Sequence, residues 1–288
     1  MTDPDPRRAP PARTSADAPE GVKDAAPGWA DRLFFGMQYL LPQHLLSALM
    51  YRFARLRWPP LRGALIRAFA RHFQVNMAEA REPDLAAYDS FNAFFTRALQ
   101  PGARPLPGDP AAIACPADGA LSQHGAIDAG RLFQAKGLDY RLDELVGDPA
   151  WAGRFAGGSF ATIYLSPRDY HRVHMPASGR LRAMLHVPGR LFSVNRATAS
   201  LVPRLFARNE RVVCLFEGDA GPFALILVGA IFVGGMETVW AGEVTPARGQ
   251  SPRRHYGDAN PVDLTRGAEM GGFNMGSTVI LLFPPGAV

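Results

Sequence analysis

The residues able to do chemistry together are a serine, two histidines and an aspartate, and they lie far apart along the chain. Ser277 stands in Gly276-Ser277-Thr278, a small, polar, turn-like triplet that runs straight into Val279-Ile280-Leu281-Leu282-Phe283. His171 and His174 share the stretch YLSPRDYHRVHMP, and Asp118 belongs to CPADGALSQ. A serine hydroxyl is a poor nucleophile until a base takes its proton, and histidine serves best when an acid orients its ring. Asp118, either histidine and Ser277 are thus of the types needed for orienter, base and nucleophile. Their spacing does not show that they meet. Each also fits a plain loop, since Gly-Ser and Asp-Gly are ordinary turn pairs. The His-x-x-His spacing is compatible with a metal, but no cysteine or acidic cluster accompanies it, so no metal site is expected.

Such loops need a scaffold, and the pattern provides a β-rich one. Short runs of Val, Ile, Leu and Phe at 159–165, 181–187, 211–217, 223–235 and 238–244 are punctuated by Gly, Pro and Asp, as strands are. The run 223–235 is too short to cross a bilayer as a helix, and its glycines suit a bent or paired strand. The run after Ser277 reads as a buried strand.

The N-terminal part differs. From 32 to 78 there is no Asp or Glu, while Arg52, Arg55, Arg57, Arg62, Arg67 and Arg71 lie close together. Leu45, Leu49, Phe53 and Leu56 recur at helical spacing, as do Leu61, Leu65, Phe69 and Phe73, with Pro59-Pro60 between the two series. Two readings follow: helices packed on a core with solvated arginines outside, or a basic amphipathic hairpin on an anionic membrane surface. The lack of acids favours the membrane. Neither series is long enough to span it. Nucleic acid is not expected as a partner, because no zinc spacing or RNA-binding signature accompanies the charge.

Residues 1–28 contain no aromatic and are rich in Pro, Ala and Asp, which reads as a disordered leader without the apolar region of a secretory signal. The expected class is α+β: amphipathic N-terminal helices at 29–90, then a mostly antiparallel β-rich catalytic body at 91–288. A chain of 288 residues with 47% hydrophobic content can bury a sizeable core. Its net charge of +5 is modest, so the placement of charge matters more than the total. Cys115 and Cys214 are read as buried thiols of a reducing compartment.

Seven segments in order carry a resemblance: FNAFFTRALQPGARP (91–105), CPADGALSQ (115–123), QAKGLDYRLDELVG (134–147), YLSPRDYHRVHMP (164–176), FSVNRATASLVPRLFARNERVV (192–213), ILVGAIFVGGMETVWAG (226–242) and RGAEMGGFNMGSTV (266–279). Together they resemble the bacterial phosphatidylserine decarboxylases, pyruvoyl enzymes that mature by cutting themselves. The resemblance covers about Phe91 to the C-terminus, is weaker in the amphipathic region and does not extend to 1–28. Met275 replaces the family's usual Leu, a near-isosteric change.

The resemblance implies that Ser277 attacks the carbonyl of Gly276, with His174 as base and Asp118 as its orienting acid. The products would be a β chain ending at Gly276 and an α chain, 277–288, capped by a pyruvoyl group in place of Ser277. That group would act as electron sink for decarboxylation of phosphatidylserine to phosphatidylethanolamine. His171 matches the residue near the protonation step, and Ser193 and Asn195 match weaker candidates for the pocket wall. The family also implies a homodimer, attached peripherally to the cytoplasmic face of the cell membrane. Two other classes stay open: a serine hydrolase using the same three residues on external esters, and a silent membrane-binding protein. Only the decarboxylase must be found as two chains.

Overall fold

A computed structural model describes residues 28–288 apart from 136, 233–234, 247–252 and 276, so the expected leader up to residue 27 lies outside the described residues. Helices α1 (Trp29–Leu40), α2 (Gln43–Ala54) and α3 (Pro59–His72) come first, followed by the short α4 (Phe91–Phe95). Strands then dominate: β1 (Ala120–Ala126), β2 (Arg131–Ala135), β3 (Leu138–Arg141), β4 (Ser159–Leu165), β5 (Arg172–His174), β6 (Gly179–Val187) and β7 (Arg211–Gly218). The remainder are β8 (Gly221–Val228), β9 (Met236–Thr238), β10 (Gly242–Thr245), β11 (Arg253–His255), β12 (Asp263–Leu264), β13 (Glu269–Phe273) and β14 (Ser277–Phe283). Short helices α5 (Leu142–Val146), α6 (Pro149–Gly153), α7 (Arg196–Leu201) and α8 (Leu205–Arg208) fill two of the connections. All pairings between these strands are antiparallel. The fold is α+β, with the helices first.

The main sheet runs β1-β4-β14-β8-β7-β6-β11, with β12 beside β6, and a second sheet runs β10-β9-β13-β5. In β14 the side chains alternate between two cores, as the period of a strand requires. Val279, Leu281 and Phe283 join Met175, Met270 and Phe273 on one face, and Ile280 and Leu282 join Leu145, Phe155 and Phe192 on the other. Both faces are covered, so the sequence of the strand is continuously apolar.

Three expectations are corrected. The strand expected at 223–235 stops at Val228, because the carbonyl of Gly229 is taken by Asn209 Nδ2 at 2.9 Å instead of by a neighbouring strand. The run 238–244 is a hairpin in which Ala241 N–H turns back to Thr238 Oγ1 at 3.2 Å, separating β9 from β10. Cys115 is exposed, in a loop before β1, while Cys214 is buried in β7.

The helices divide in an unexpected way. α3 packs as a core helix, its Ile66, Ala70, Leu65 and Phe69 against Phe91, Phe94 and Phe95 of α4. α2 is turned inside out. Its apolar series is exposed, Leu45 at 57% and Leu49 at 54%, while Gln43 and Ser47 are buried. Polar contacts fasten its inner side to the body: Gln43 Oε1 accepts from Leu191 N–H at 2.9 Å and Ser47 Oγ from Phe232 N–H at 3.2 Å, while Gln38 of α1 accepts through Oε1 from Ser193 N–H at 2.7 Å. Arg55, expected among the free arginines, instead meets Glu243 of β10 at 2.6 Å, and Tyr51 donates to the same carboxylate at 2.8 Å. No described helix is long and apolar enough to cross a membrane.

Candidate active site

Two strand pairings bring the histidines and the serine into one region. Ser277, first residue of β14, is opposite Leu165, last residue of β4. The chain leaving Leu165 turns at once, and Asp169 holds the turn by accepting from Ser166 N–H and Oγ–H, both at 2.7 Å. The turn ends at His171, whose carbonyl accepts from Phe273 N–H at 3.0 Å, and β5 then pairs with β13. The loop 166–171 is therefore tied at one end to the residue that starts β14 and at the other to the strand that leads into it. Gly272 permits this close approach, since a Cβ there would lie 2.9 Å from the carbonyl oxygen of His171. Met275 has φ +90°, outside the +46° to +65° of the other positive-φ non-glycine residues among those described, and such a conformation stores backbone strain just before the serine.

His171 is fully buried, with its ring 4.1 Å from that of Phe95. Its Nδ1–H donates to the carbonyl of Asp169 at 2.8 Å, which leaves a lone pair on Nε2 with no partner among the described residues. Burial lowers its pKa to about 3, so the ring is neutral near pH 7. His174, the last residue of β5, donates Nδ1–H to the carbonyl of Gly267 at 2.9 Å. Nε2 is then an acceptor, and the hydroxyl of Tyr170 donates to it at 3.1 Å. Burial pushes Tyr170 up to about 12, so it keeps its proton.

Asp118 lies in the turn before β1, where Gly119 has φ +154° and passes so close to β4 that a Cβ would meet the Tyr164 carbonyl oxygen at 2.4 Å. Its carboxylate is held in a fork by Arg104, Nε to Oδ1 at 2.8 Å and Nη2 to Oδ2 at 2.6 Å, and Arg104 also reaches Glu79 at 2.6 Å. Among the described residues no hydrogen bond joins Asp118 to either histidine. The carbonyl of Gly267 holds the His174 proton that Asp118 was expected to hold. Asp118 instead shares with Asp169 and Tyr170 the wall of a polar cleft of about 270 Å³, which Arg97, Arg104 and Arg168 also line. Its charge still bears on both Tyr170 and His171.

Ser193 and Asn195 do not line that cleft among the described residues. Ser193 is held through its backbone by Gln38, and Asn195 caps α7, its Oδ1 accepting from Thr198 N–H at 2.8 Å. Gly276 lies outside the described residues. Sequence reasoning missed Tyr170, Asp169 and Arg97. Tyr170 carried a signal in standing four residues before His174, and Arg97 in being a cation closing the apolar stretch FNAFF. Among the described residues no group of three or more His, Cys, Asp or Glu could hold a metal ion.

The arrangement offers a strained turn, a serine at the head of a buried strand, one imidazole fixed as an acceptor and a second, neutral one beside it. The family model for phosphatidylserine decarboxylase matches residues 91–288, and a second, described as PSD, matches 33–74. The chain is 59% identical over 256 residues to the phosphatidylserine decarboxylase proenzyme of Azotobacter vinelandii, covering 88% of this chain and 90% of the relative. It is also 59% identical over 258 residues to the proenzyme of Bordetella pertussis, covering 88% and 87%.

Proposed function

Because the chain belongs to the phosphatidylserine decarboxylase family, and is on that account a decarboxylase, we propose that it converts phosphatidylserine to phosphatidylethanolamine with a pyruvoyl group made from its own Ser277. The observation that carries this reading is the head of β14, where the strained Met275 precedes a serine that opens a strand paired on both sides.

The Ser277 hydroxyl attacks the carbonyl carbon of Gly276, exchanging the peptide C–N bond for an ester C–O bond. Loss of the Ser277 Cα proton then expels the Gly276 carboxylate, and one water releases ammonia to leave the pyruvoyl cap. His174 is the base for the first step. Its Nδ1 proton is held by the carbonyl of Gly267, so Nε2 accepts the serine proton once Tyr170 yields that position. Asp118 acts across the cleft through Tyr170, with which it shares the cleft wall and whose hydroxyl holds His174 Nε2 before the step. Once made, the pyruvoyl carbonyl supplies an electron sink for the bond to the departing carboxylate. His171 serves that later reaction. An anion beside its buried ring raises its pKa, which lets Nε2 carry a proton to the carbon that loses CO2.

The membrane reading follows from α2. Leu45, Leu49 and Phe53 are exposed on a helix whose polar side is fastened to the body, and Leu56 is exposed just past its end. Exposed apolar faces of this kind mark docking surfaces, and an interfacial helix buries such a face about 5–10 Å into the headgroup boundary.

Intact mass tests the reading. Purified protein should appear as two chains cut between Gly276 and Ser277, and Ser277→Ala should remain whole at 31.2 kDa. Wild-type protein that stays whole after long incubation with membranes, or that is cut but releases no CO2 from phosphatidylserine, would overturn it.

A further inference from the structure

Arg97 and Arg211 are equally hidden, 4% and 2% exposed, yet they are used differently. Arg211 spends its guanidinium on backbone, donating to the carbonyls of Leu145, Ala207, Asn209 and Glu144. Arg97 makes one such bond, Nη2 to the carbonyl of Arg168 at 3.1 Å, and lies 5.7 Å from the centre of the Phe94 ring. Its Nε–H has no acceptor, and no carboxylate stands within ion-pair distance of it among the described residues. A buried cation left this way is costly unless something else completes it. Arg97 lines the cleft beside Asp118 and Tyr170, where Arg104 is already occupied by Asp118 and Glu79. Arg168, two-thirds exposed at the same cleft, has only a loose contact of 3.9 Å to Asp169.

We propose that Arg97 and Arg168 form an anion subsite for the phosphodiester of the lipid head group. This rests on the decarboxylase reading. Arg168 belongs to the 166–171 turn that ends in His171, so the subsite adjoins the reacting end of the substrate. The phosphodiester is the better match than the serine carboxylate. A cation paired with the carboxylate would stabilise the charge that CO2 loss must disperse, which binds the ground state and slows the step. The phosphodiester keeps its charge throughout, and a guanidinium fork matches its oxygens.

The test uses water-soluble head-group fragments. Glycerophosphoethanolamine should inhibit phosphatidylserine turnover by the cut wild-type enzyme at least tenfold more strongly than ethanolamine. Arg97→Gln and Arg168→Gln should each erase that preference and raise KM by roughly 10- to 100-fold with little change in kcat, while Arg97→Lys should retain part of it. Equal inhibition of wild type by the two fragments overturns the proposal, and that result needs no variant to fold. So does an Arg168→Gln enzyme that keeps the full preference. Calorimetry of glycerophosphoethanolamine on uncut Ser277→Ala separates the two readings. Binding there that Arg168→Gln abolishes supports the subsite even if wild type proves not to decarboxylate.

Discussion

At the scale of single residues, His171 is governed by burial. Its pKa is about 3 in the folded chain against 6.5 for a free ring, so between those values the unfolded chain carries the extra proton. Stability therefore rises with pH in that window, is complete above about 6.5, and is lost at up to about 1.4 kcal/mol per pH unit as pH falls toward 3. His171→Asn should remove this component. In urea titrations the stability difference between wild type and His171→Asn should move in favour of Asn as pH drops from 7 to 4.5. A difference independent of pH would mean the ring is not held neutral. The same variant should still be cut, yet decarboxylate about 10²–10⁴-fold more slowly, the usual loss when acid–base help is removed. Met275 offers a second residue-scale expectation. Its φ of +90° costs of order 1–3 kcal/mol, which glycine would relieve and alanine would not. Met275→Gly should slow cutting of newly made chain by roughly tenfold or more, while Met275→Ala stays near wild type. Equal rates for the two would detach the strain from the chemistry.

Among the elements, α2 carries a row of exposed apolar side chains, Leu45, Leu49 and Phe53, on its outer side. Replacing Leu45 and Leu49 by Ser should weaken binding to phosphatidylglycerol-containing vesicles by roughly 10²- to 10⁴-fold, since each buried side chain of this size contributes about 1.5–3 kcal/mol. The loss should persist at high salt. Replacing Arg52, Arg67 and Arg71 by Gln should cost less, and only at low salt, because exposed charges are screened within about 8 Å at physiological ionic strength. Arg55 is excluded from that set, because it holds α2 to Glu243 and its loss would loosen the helix itself. Vesicle binding that survives the Leu substitutions would return α2 to a role within the protein.

For the whole molecule, cutting changes the order of the folding reaction. β14 is held in register against β4 and β8, and each of its large buried side chains contributes about 1.5–3 kcal/mol, so the α chain stays in place after the backbone is broken. Unfolding then yields two separate chains, and stability depends on protein concentration. The melting temperature of the cut protein should rise more steeply with concentration than that of uncut Ser277→Ala, because its unfolding releases one more chain. A concentration-independent melt of verified two-chain protein would mean that the α chain remains bound in the unfolded state.

The sequence alone determined what depends on local pattern and on covalent chemistry. The apolar run after Ser277 read as a buried strand and is β14, and the two helical series upstream emerged as α2 and α3. The order of seven segments carried the family. What it could not determine is what depends on which face meets which neighbour. Helical periodicity located an apolar stripe on α2 but not that the stripe points outward, because the inward side is chosen by Gln43 and Ser47 finding partners at Leu191 and Phe232, far along the chain. The strand expected through residue 235 ends at Val228 because Asn209 reaches the Gly229 carbonyl, a contact with no local signal. The same holds at the site. The family resemblance nominated Asp118 as the partner of His174, but the register of β5 against β13 and the turn at Gly267 put a carbonyl on the imidazole, and Arg104 took the carboxylate. The neutrality of His171 and the unspent charge of Arg97 are likewise products of burial, which exists only once the sheets and α4 have closed around them.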